Sequence, residues 1–383
     1  MAQNEPVKVG VLYSESGITS AIESSQLLGT LFAIEEVNAA GGIGGRELVA
    51  VRYDPRSDPV TYRALAERLV AVDNVKVIFG CHKSSTRKAV IPVVERWNRL
   101  LFYATLYEGF EFSNNLIYTG AAPNQNSVQL ADFMTSTFGP RVYQVGSDYI
   151  FPYESNRIMS DLVGQRQGGE TVATHYVPLG AGAGDFDAII ADIKDRQPDF
   201  IFSTVVGNAT QHFYRAYAEA GLNPRQLPIA SLTTGELEVA QIGPAAAGHY
   251  TASPYFQSID TPANAAVLQR FRQRFGDQTV PNANWEAAYF QLHLFANAMR
   301  LSGSDDIDAL MPHLLGAEYL APQGKVRIEP GNHHTCLNPR IGRVNAKGQF
   351  TIVRESKRPV VPDPYLVTHS VGDWTLALND LET

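Results

Sequence analysis

Four short apolar, β-rich runs, 7–13 (VKVGVLY), 47–53 (ELVAVRY), 75–79 (VKVIF) and 100–103 (LLFY), alternate with helix-forming stretches over the first hundred residues. This alternation constrains the fold more than any other feature, because parallel strands need crossovers of a dozen or more residues, which helices supply. Leu27, Leu31, Ile34 and Val37 recur at intervals of four, three and three, the spacing of one buried helical face. Ser20 with Glu23 three residues on reads as a capping box for that helix. The cluster 41–45 (GGIGG) ends it in a turn. Asp58 followed by Pro59 gives an N-cap and an N1 proline for a second helix, with Tyr62, Leu65 and Leu69 inward. A third helix is expected over 84–96, kinked or interrupted at Pro92. The reading is an α/β fold with a parallel sheet covered by helices on both faces.

The pattern then restarts. Strands at 141–146, 171–176, 199–205 and 227–230 alternate with helices at 153–167, 185–196 and 210–220. A second set of similar length predicts two doubly wound, Rossmann-like lobes rather than one long sheet, with ligands at strand ends in a cleft. Beyond Thr251 the chain leaves the second set. Trp285, Ala288, Leu292, Phe295 and Met299 form one stripe of an amphipathic helix over 285–299, and 331–355 alternates in period two like a hairpin.

Composition removes other classes. A chain of 383 residues suggests about two domains. Its 44% hydrophobic and 18% charged residues are those of an ordinary globular protein. Net charge is −8, from 31 Lys+Arg against 39 Asp+Glu, and no basic run exceeds the pair Arg87–Lys88, so a nucleic-acid surface is not expected. No apolar stretch approaches the ~20 residues that span a bilayer. The first residues show no basic, apolar and cleavage regions of a signal segment, so the expected compartment is the cytoplasm, or the periplasm if a signal has been removed. Cys81 and Cys336 are expected as two buried free thiols.

Six strand-end loops carry small polar and aromatic residues. In the first lobe they are 14–19 (SESGIT), 80–86 (GCHKSST) and 103–109 (YATLYEG); in the second, 146–152 (GSDYIFP), 203–207 (STVVG) and 231–236 (SLTTGE). Ser84 and Ser85 open a helix whose first N–H groups can donate to a carbonyl or carboxylate. Tyr103 and Tyr149 offer flat walls with a hydroxyl at the edge. Any one loop is equally what helix caps and core tyrosines look like; six together favour a ligand site. No nucleophile elbow, phosphate-binding loop or zinc-protease motif occurs, so no catalytic residue is assigned. His333 and His334, adjacent on an expected strand, would point opposite ways, so no metal site is assigned.

Within these loops, 14–17 (SESG), 85–90 (STRKAV) with 92–96 (PVVER), 107–109 (YEG), 122–126 (APNQN), 146–150 (GSDYI), 203–207 (STVVG), 231–234 (SLTT) and 258–262 (SIDTP) give the chain a family resemblance, as do Pro362–Tyr365, Asp373 and Trp374. It resembles the AmiC-type amide receptors, cytoplasmic negative regulators of aliphatic-amidase operons, and more distantly the urea and short-chain-amide binding proteins of ABC transporters. The resemblance implies a type I periplasmic-binding-protein fold with crossover strands as a hinge. Its first lobe would be 1–121 plus 253–328, and its second 122–252 plus 329–383. It implies a small neutral amide or urea-like ligand held by Ser84, Tyr103, Thr105 and Tyr149, with Val206 and Thr233 on the far wall. His82, Leu106 and Phe151 depart from the family's tyrosine, proline and tyrosine, so the expected ligand differs from acetamide while remaining small, neutral and polar. The implied partner is an AmiR-type antitermination regulator, or an ABC permease for the transporter branch. No cofactor is implied, and a homodimer is the default expectation.

Overall fold

The computed structural model describes residues 5–277 and 279–367; Asp373 and Trp374 lie outside the described residues. The chain begins β1 (Val7–Leu12), α1 (Ser20–Ala39), β2 (Leu48–Arg52), α2 (Pro59–Ala71), β3 (Val77–Gly80), α3 (Ser84–Arg96), β4 (Leu100–Tyr103) and β5 (Leu116–Tyr118). These strands form one parallel sheet in the order β2-β1-β3-β4-β5. Asp58 caps α2 by accepting from the Thr61 N–H at 2.8 Å, as its place before Pro59 predicts. The capping box does not form. The N-cap of α1 is Thr19, and the Glu23 carboxyl turns inward to accept from the Ser14 N–H at 2.7 Å and from the Tyr62 hydroxyl. Glu23 lies one turn before Leu27 on the buried face, so the helix itself carries it into the interior. Helix α3 runs unbroken through Pro92. The carbonyl that Pro92 leaves without an amide partner is that of exposed Lys88, where water can take over.

The second series is α4 (Pro123–Thr137), β6 (Arg141–Ser147), α5 (Ile150–Gly164), β7 (Glu170–Val177), α6 (Asp187–Arg196), β8 (Phe200–Thr204), α7 (Asn208–Glu219), β9 (Ile229–Ser231), α8 (Glu236–Ile242) and β10 (Tyr250–Ser253). There follow α9 (Pro262–Phe275), α10 (Ala283–Ser302), α11 (Ile307–Leu314), β11 (Glu318–Ala321), β12 (Gly324–Ile328), β13 (Thr335–Cys336), β14 (Arg340–Val344) and β15 (Phe350–Glu355). The second large sheet has the order β15-β14-β10-β9-β8-β6-β7. Its parallel part, β7-β6-β8-β9-β10, repeats the order of the first sheet, and the antiparallel pair β14 and β15 extends it. Strands β11, β12 and β13 form a small antiparallel sheet.

Two compact units result. One holds the chain to Tyr107, Glu111–Ala121 and Asp260–Leu337; the other holds Glu108–Phe110, Ala122–Ile259 and the chain from Asn338. The later crossings fall after Ile259 and Leu337, not after residues 252 and 328. Strand β10 pairs with β9 and β14 of the second unit, and β13 pairs with β12 of the first, so pairing carries each segment past the expected boundary.

The core of the first unit is built on α10. Trp285, Ala288, Leu292, Phe295 and Met299 are all buried, and Phe295 meets Phe79 and Phe102 edge-on. Both cysteines are free and buried. Among the described residues no helix is long and apolar enough to cross a membrane. Buried Asn282 caps α10, its side-chain oxygen accepting from the Asn284 and Trp285 N–H groups at 3.0 Å each. Asn282→Ala is expected to lower stability by about 1 kcal/mol, read as a lower midpoint in urea unfolding.

Candidate functional site

In each parallel sheet the strand order reverses at one point, between β1 and β3 in the first unit and between β6 and β8 in the second. There the connections leave on opposite faces and open a crevice at the carboxyl ends of the strands, where ligands of open α/β sheets bind. Most of the candidate residues stand at or beside these two points.

In the first unit β3 ends at Gly80, and Cys81 takes a left-handed conformation (φ 68°) while its N–H donates to the Leu12 carbonyl at 3.1 Å. This turn delivers His82. The His82 carbonyl accepts from the Tyr103 hydroxyl at 2.6 Å, and its ring Nδ1 lies 3.3 Å from Thr105 Oγ1. Thr105 also accepts from Gln26 Nε2 at 2.9 Å, and the same amide donates to the Ala104 carbonyl at 3.1 Å. Burial pushes the His82 ring down to about 4, with Lys83 adding to the effect, so the ring is neutral at pH 7. His82, Tyr103 and Thr105 therefore form one hydrogen-bonded group. Ser84 is buried beside it in the first turn of α3, within 3.5 Å of Arg87 Nη1, whereas Ser85 is exposed. Leu106 is half-buried against the apolar core.

The cations of this segment are engaged. Arg87 is buried, pairs with Glu111 (Nε to Oε1, 2.7 Å) and lies 4.7 Å from the ring centres of both Tyr103 and Tyr107. Lys83 Nζ donates to the Ser57 carbonyl at 2.8 Å.

In the second unit Tyr149 is the N-cap of α5, which starts at Ile150, three residues earlier than the sequence suggested. Its half-buried ring stands 6.2 Å from that of buried Phe151. Val206 follows β8, and its N–H donates to Ser147 Oγ at 3.1 Å. Thr233 follows β9 and donates its hydroxyl to the Val205 carbonyl at 3.2 Å. Ser231 Oγ accepts from the N–H groups of Thr233 and Thr234. The loops after β8 and β9 are thus tied together, and Tyr149 with Phe151 forms a separate aromatic pair.

Sequence reasoning missed Gln26, Arg87, Glu111 and Glu236. The first left a signal: Glu23, Gln26 and Thr30 are polar residues on a helix face otherwise made by Leu27, Ile34 and Val37. His333 adopts a left-handed turn (φ 59°) rather than a strand position. His334 stacks on Tyr118 with ring centres 4.1 Å apart, its Nε2 lies 2.6 Å from the Tyr107 hydroxyl, and burial pushes it down to about 3. It is a core histidine of the first unit.

Two predictions follow from these contacts. A Cβ on Gly120 would stand 2.0 Å from the carbonyl carbon of Thr105. Gly120→Ala must therefore displace the 105–106 backbone; loss of the native Thr105 and Leu106 amide NMR positions, with the rest of the first unit's spectrum retained, would register this. Glu236, buried at the start of α8, accepts from the Gln257 N–H at 2.7 Å, and burial pushes it up to about 8. The folded chain holds this proton up to about pH 8 and the unfolded chain only to about 4.5, so the group's contribution is full below 4.5 and is lost as pH rises towards 8. Glu236→Gln should accordingly gain in melting temperature relative to the parent between pH 5 and pH 8.

The family described as "Periplasmic binding protein domain" matches residues 7–371. The Leu/Ile/Val-binding protein homolog 6 of Brucella melitensis is 26% identical over 355 residues, covering 88% of this chain and 87% of that one. A local match of 35% identity over 128 residues, 33% of this chain, is to limonene hydroxylase of Geobacillus stearothermophilus, of which the chain spans 23%. A solute-binding protein of an ABC transporter from Rhodopseudomonas palustris HaA2, solved with p-hydroxybenzoic acid, superposes with a TM-score of 0.85 at 23% identity, covering 95% of this chain and 99% of that one.

Proposed function

This chain belongs to the periplasmic binding protein family, and from that premise we propose that it is the substrate-binding protein of an ABC transporter, capturing a small uncharged polar molecule of the amide or urea class. A periplasmic location and an ABC permease as partner belong to the same reading. The observation that carries the ligand class is the neutrality of the candidate residues. Ser84, Tyr103, Thr105, Tyr149, Phe151, Val206 and Thr233 are uncharged, and His82 is held neutral by burial. A zwitterionic amino acid needs opposite charges or several hydrogen bonds at each of its ends. Arg87 is paired with Glu111 and Lys83 is bonded to a backbone carbonyl, so these two cations already have partners.

The long relative from Brucella is named for binding amino acids, and the Rhodopseudomonas structure belongs to a transporter. This favours the transporter reading over an amide sensor that acts on an AmiR-type antiterminator in the cytoplasm. The sensor reading rests on the resemblance at 203–207, 230–234 and Pro362–Tyr365 with Asp373 and Trp374. The two share one ligand chemistry and differ in partner.

A thermal-shift panel of acetamide, propionamide, butyramide, urea, leucine and 4-hydroxybenzoate tests the ligand class. A bound ligand at a hundred times its dissociation constant stabilises the fold by about 2.7 kcal/mol. A clear rise in melting temperature is expected with at least one amide or urea. A rise with leucine or 4-hydroxybenzoate alone, or with none of the six, would overturn the proposed class.

A further inference from the structure

Gln26 is fully buried on α1, and its amide has one orientation that fits its surroundings. Nε2 reaches two acceptors, the Ala104 carbonyl at 3.1 Å and Thr105 Oγ1 at 2.9 Å. The flipped amide would set its oxygen against the Ala104 carbonyl oxygen, placing two acceptors face to face. Both amide hydrogens are thereby directed, one of them into a lone pair of the Thr105 hydroxyl.

Thr105 is buried and its hydroxyl must dispose of its own proton. His82 Nδ1 lies 3.3 Å away. If Nδ1 carried a proton, Thr105 Oγ1 would accept from both neighbours and its own O–H would have no acceptor among these contacts, a costly state for a buried donor. If Nδ1 is bare, the Thr105 O–H donates to it and every donor of the group has an acceptor, Gln26 Oε1 alone among these atoms being buried without a partner. A neutral imidazole whose Nδ1 accepts carries its proton on Nε2.

We infer that Gln26 is a positioning residue that, acting through the Thr105 hydroxyl, fixes His82 as the Nε2–H tautomer. The first unit then offers an N–H donor, and the ligand group it selects is an oxygen acceptor, the carbonyl of an amide or urea. The assignment of that donor to ligand selection rests on the function proposed above; the tautomer itself does not. Gln26 need never touch the ligand. The direction of its amide, two hydrogen bonds away, sets which polarity His82 presents.

The test is long-range ¹H–¹⁵N NMR of the histidine rings at pH 7 in the free, full-length protein, where the two ring nitrogens of each tautomer have distinct shifts. For the parent the expected result is a protonated Nε2 and a bare Nδ1 at His82. Thr105→Val, which removes the hydroxyl at nearly constant volume, should release the ring into a mixture of tautomers. Thr105→Ser should restore the parent pattern, and Gln26→Glu, whose carboxylate oxygen would accept the Thr105 proton in place of Nδ1, should lose that pattern with Thr105 intact. The ring signals of His249 and His334 report whether each variant is folded, and Thr105→Val and Thr105→Ser serve if Gln26→Glu is not. A protonated Nδ1 in the parent, or a parent-like pattern in folded Gln26→Glu or Thr105→Val, would overturn the inference. Because no ligand is present, the result stands apart from the thermal-shift panel.

Discussion

A parallel sheet whose strand order reverses cannot cover its own carboxyl edge, because the crossovers on either side of the reversal depart to opposite faces. Both large sheets of this chain are built in that way, β2-β1-β3-β4-β5 and β7-β6-β8-β9-β10. In the first, the reversal separates the loop after β1 from the turn at Cys81, and that turn brings His82 to the Tyr103 hydroxyl and beside Thr105. In the second it separates Tyr149 from Val206. The remaining architecture serves to hold these edges still. Helix α10 packs its aromatic stripe on the first sheet, and Gly120 lets the 105–106 backbone lie closer than any side chain would permit.

The electrostatics of the first unit separate charge from recognition. Around its strand ends Arg87, Lys83, Glu111 and Glu23 are each engaged. Arg87 is spent on Glu111 between two tyrosine rings, Lys83 on the Ser57 carbonyl, and Glu23 on the Ser14 amide and Tyr62 hydroxyl. The residues proposed to meet a ligand carry hydroxyls, aromatic faces and one neutral imidazole. Hydrogen bonds to neutral groups discriminate by direction rather than by charge, so the orientation of each donor carries the specificity. Under the proposed function, Gln26, which donates to the Thr105 hydroxyl, acts on that orientation.

Much of the scaffold was legible in the residues. The strand runs, the Asp58 cap and the α10 stripe stand where periodicity and capping chemistry place them, because each is decided locally. The short strand β5 and helix α4 were not read, since Leu116–Tyr118 is too brief to show a period and α4 is buried on almost every side. The capping box at Ser20 failed for a tertiary reason: Glu23 finds Ser14 and Tyr62 in the interior. The sequence suggested the candidate loops, but not their connections. Nothing in 80–86 reveals that burial holds His82 neutral, or that a glutamine 56 positions earlier, on α1, donates to the hydroxyl beside it.

Recognition by neutral hydrogen bonding is the central claim, and its most direct measurement is the dissociation constant, by calorimetry at pH 5, 6 and 7, of the amide or urea that gives the largest thermal shift. An imidazole pushed down to about 4 stays neutral across that range, so the account predicts the same affinity at all three values, with no net proton uptake. An affinity that changes about tenfold through pH 6.5, the ordinary range of a histidine, would contradict it, as would the absence of binding.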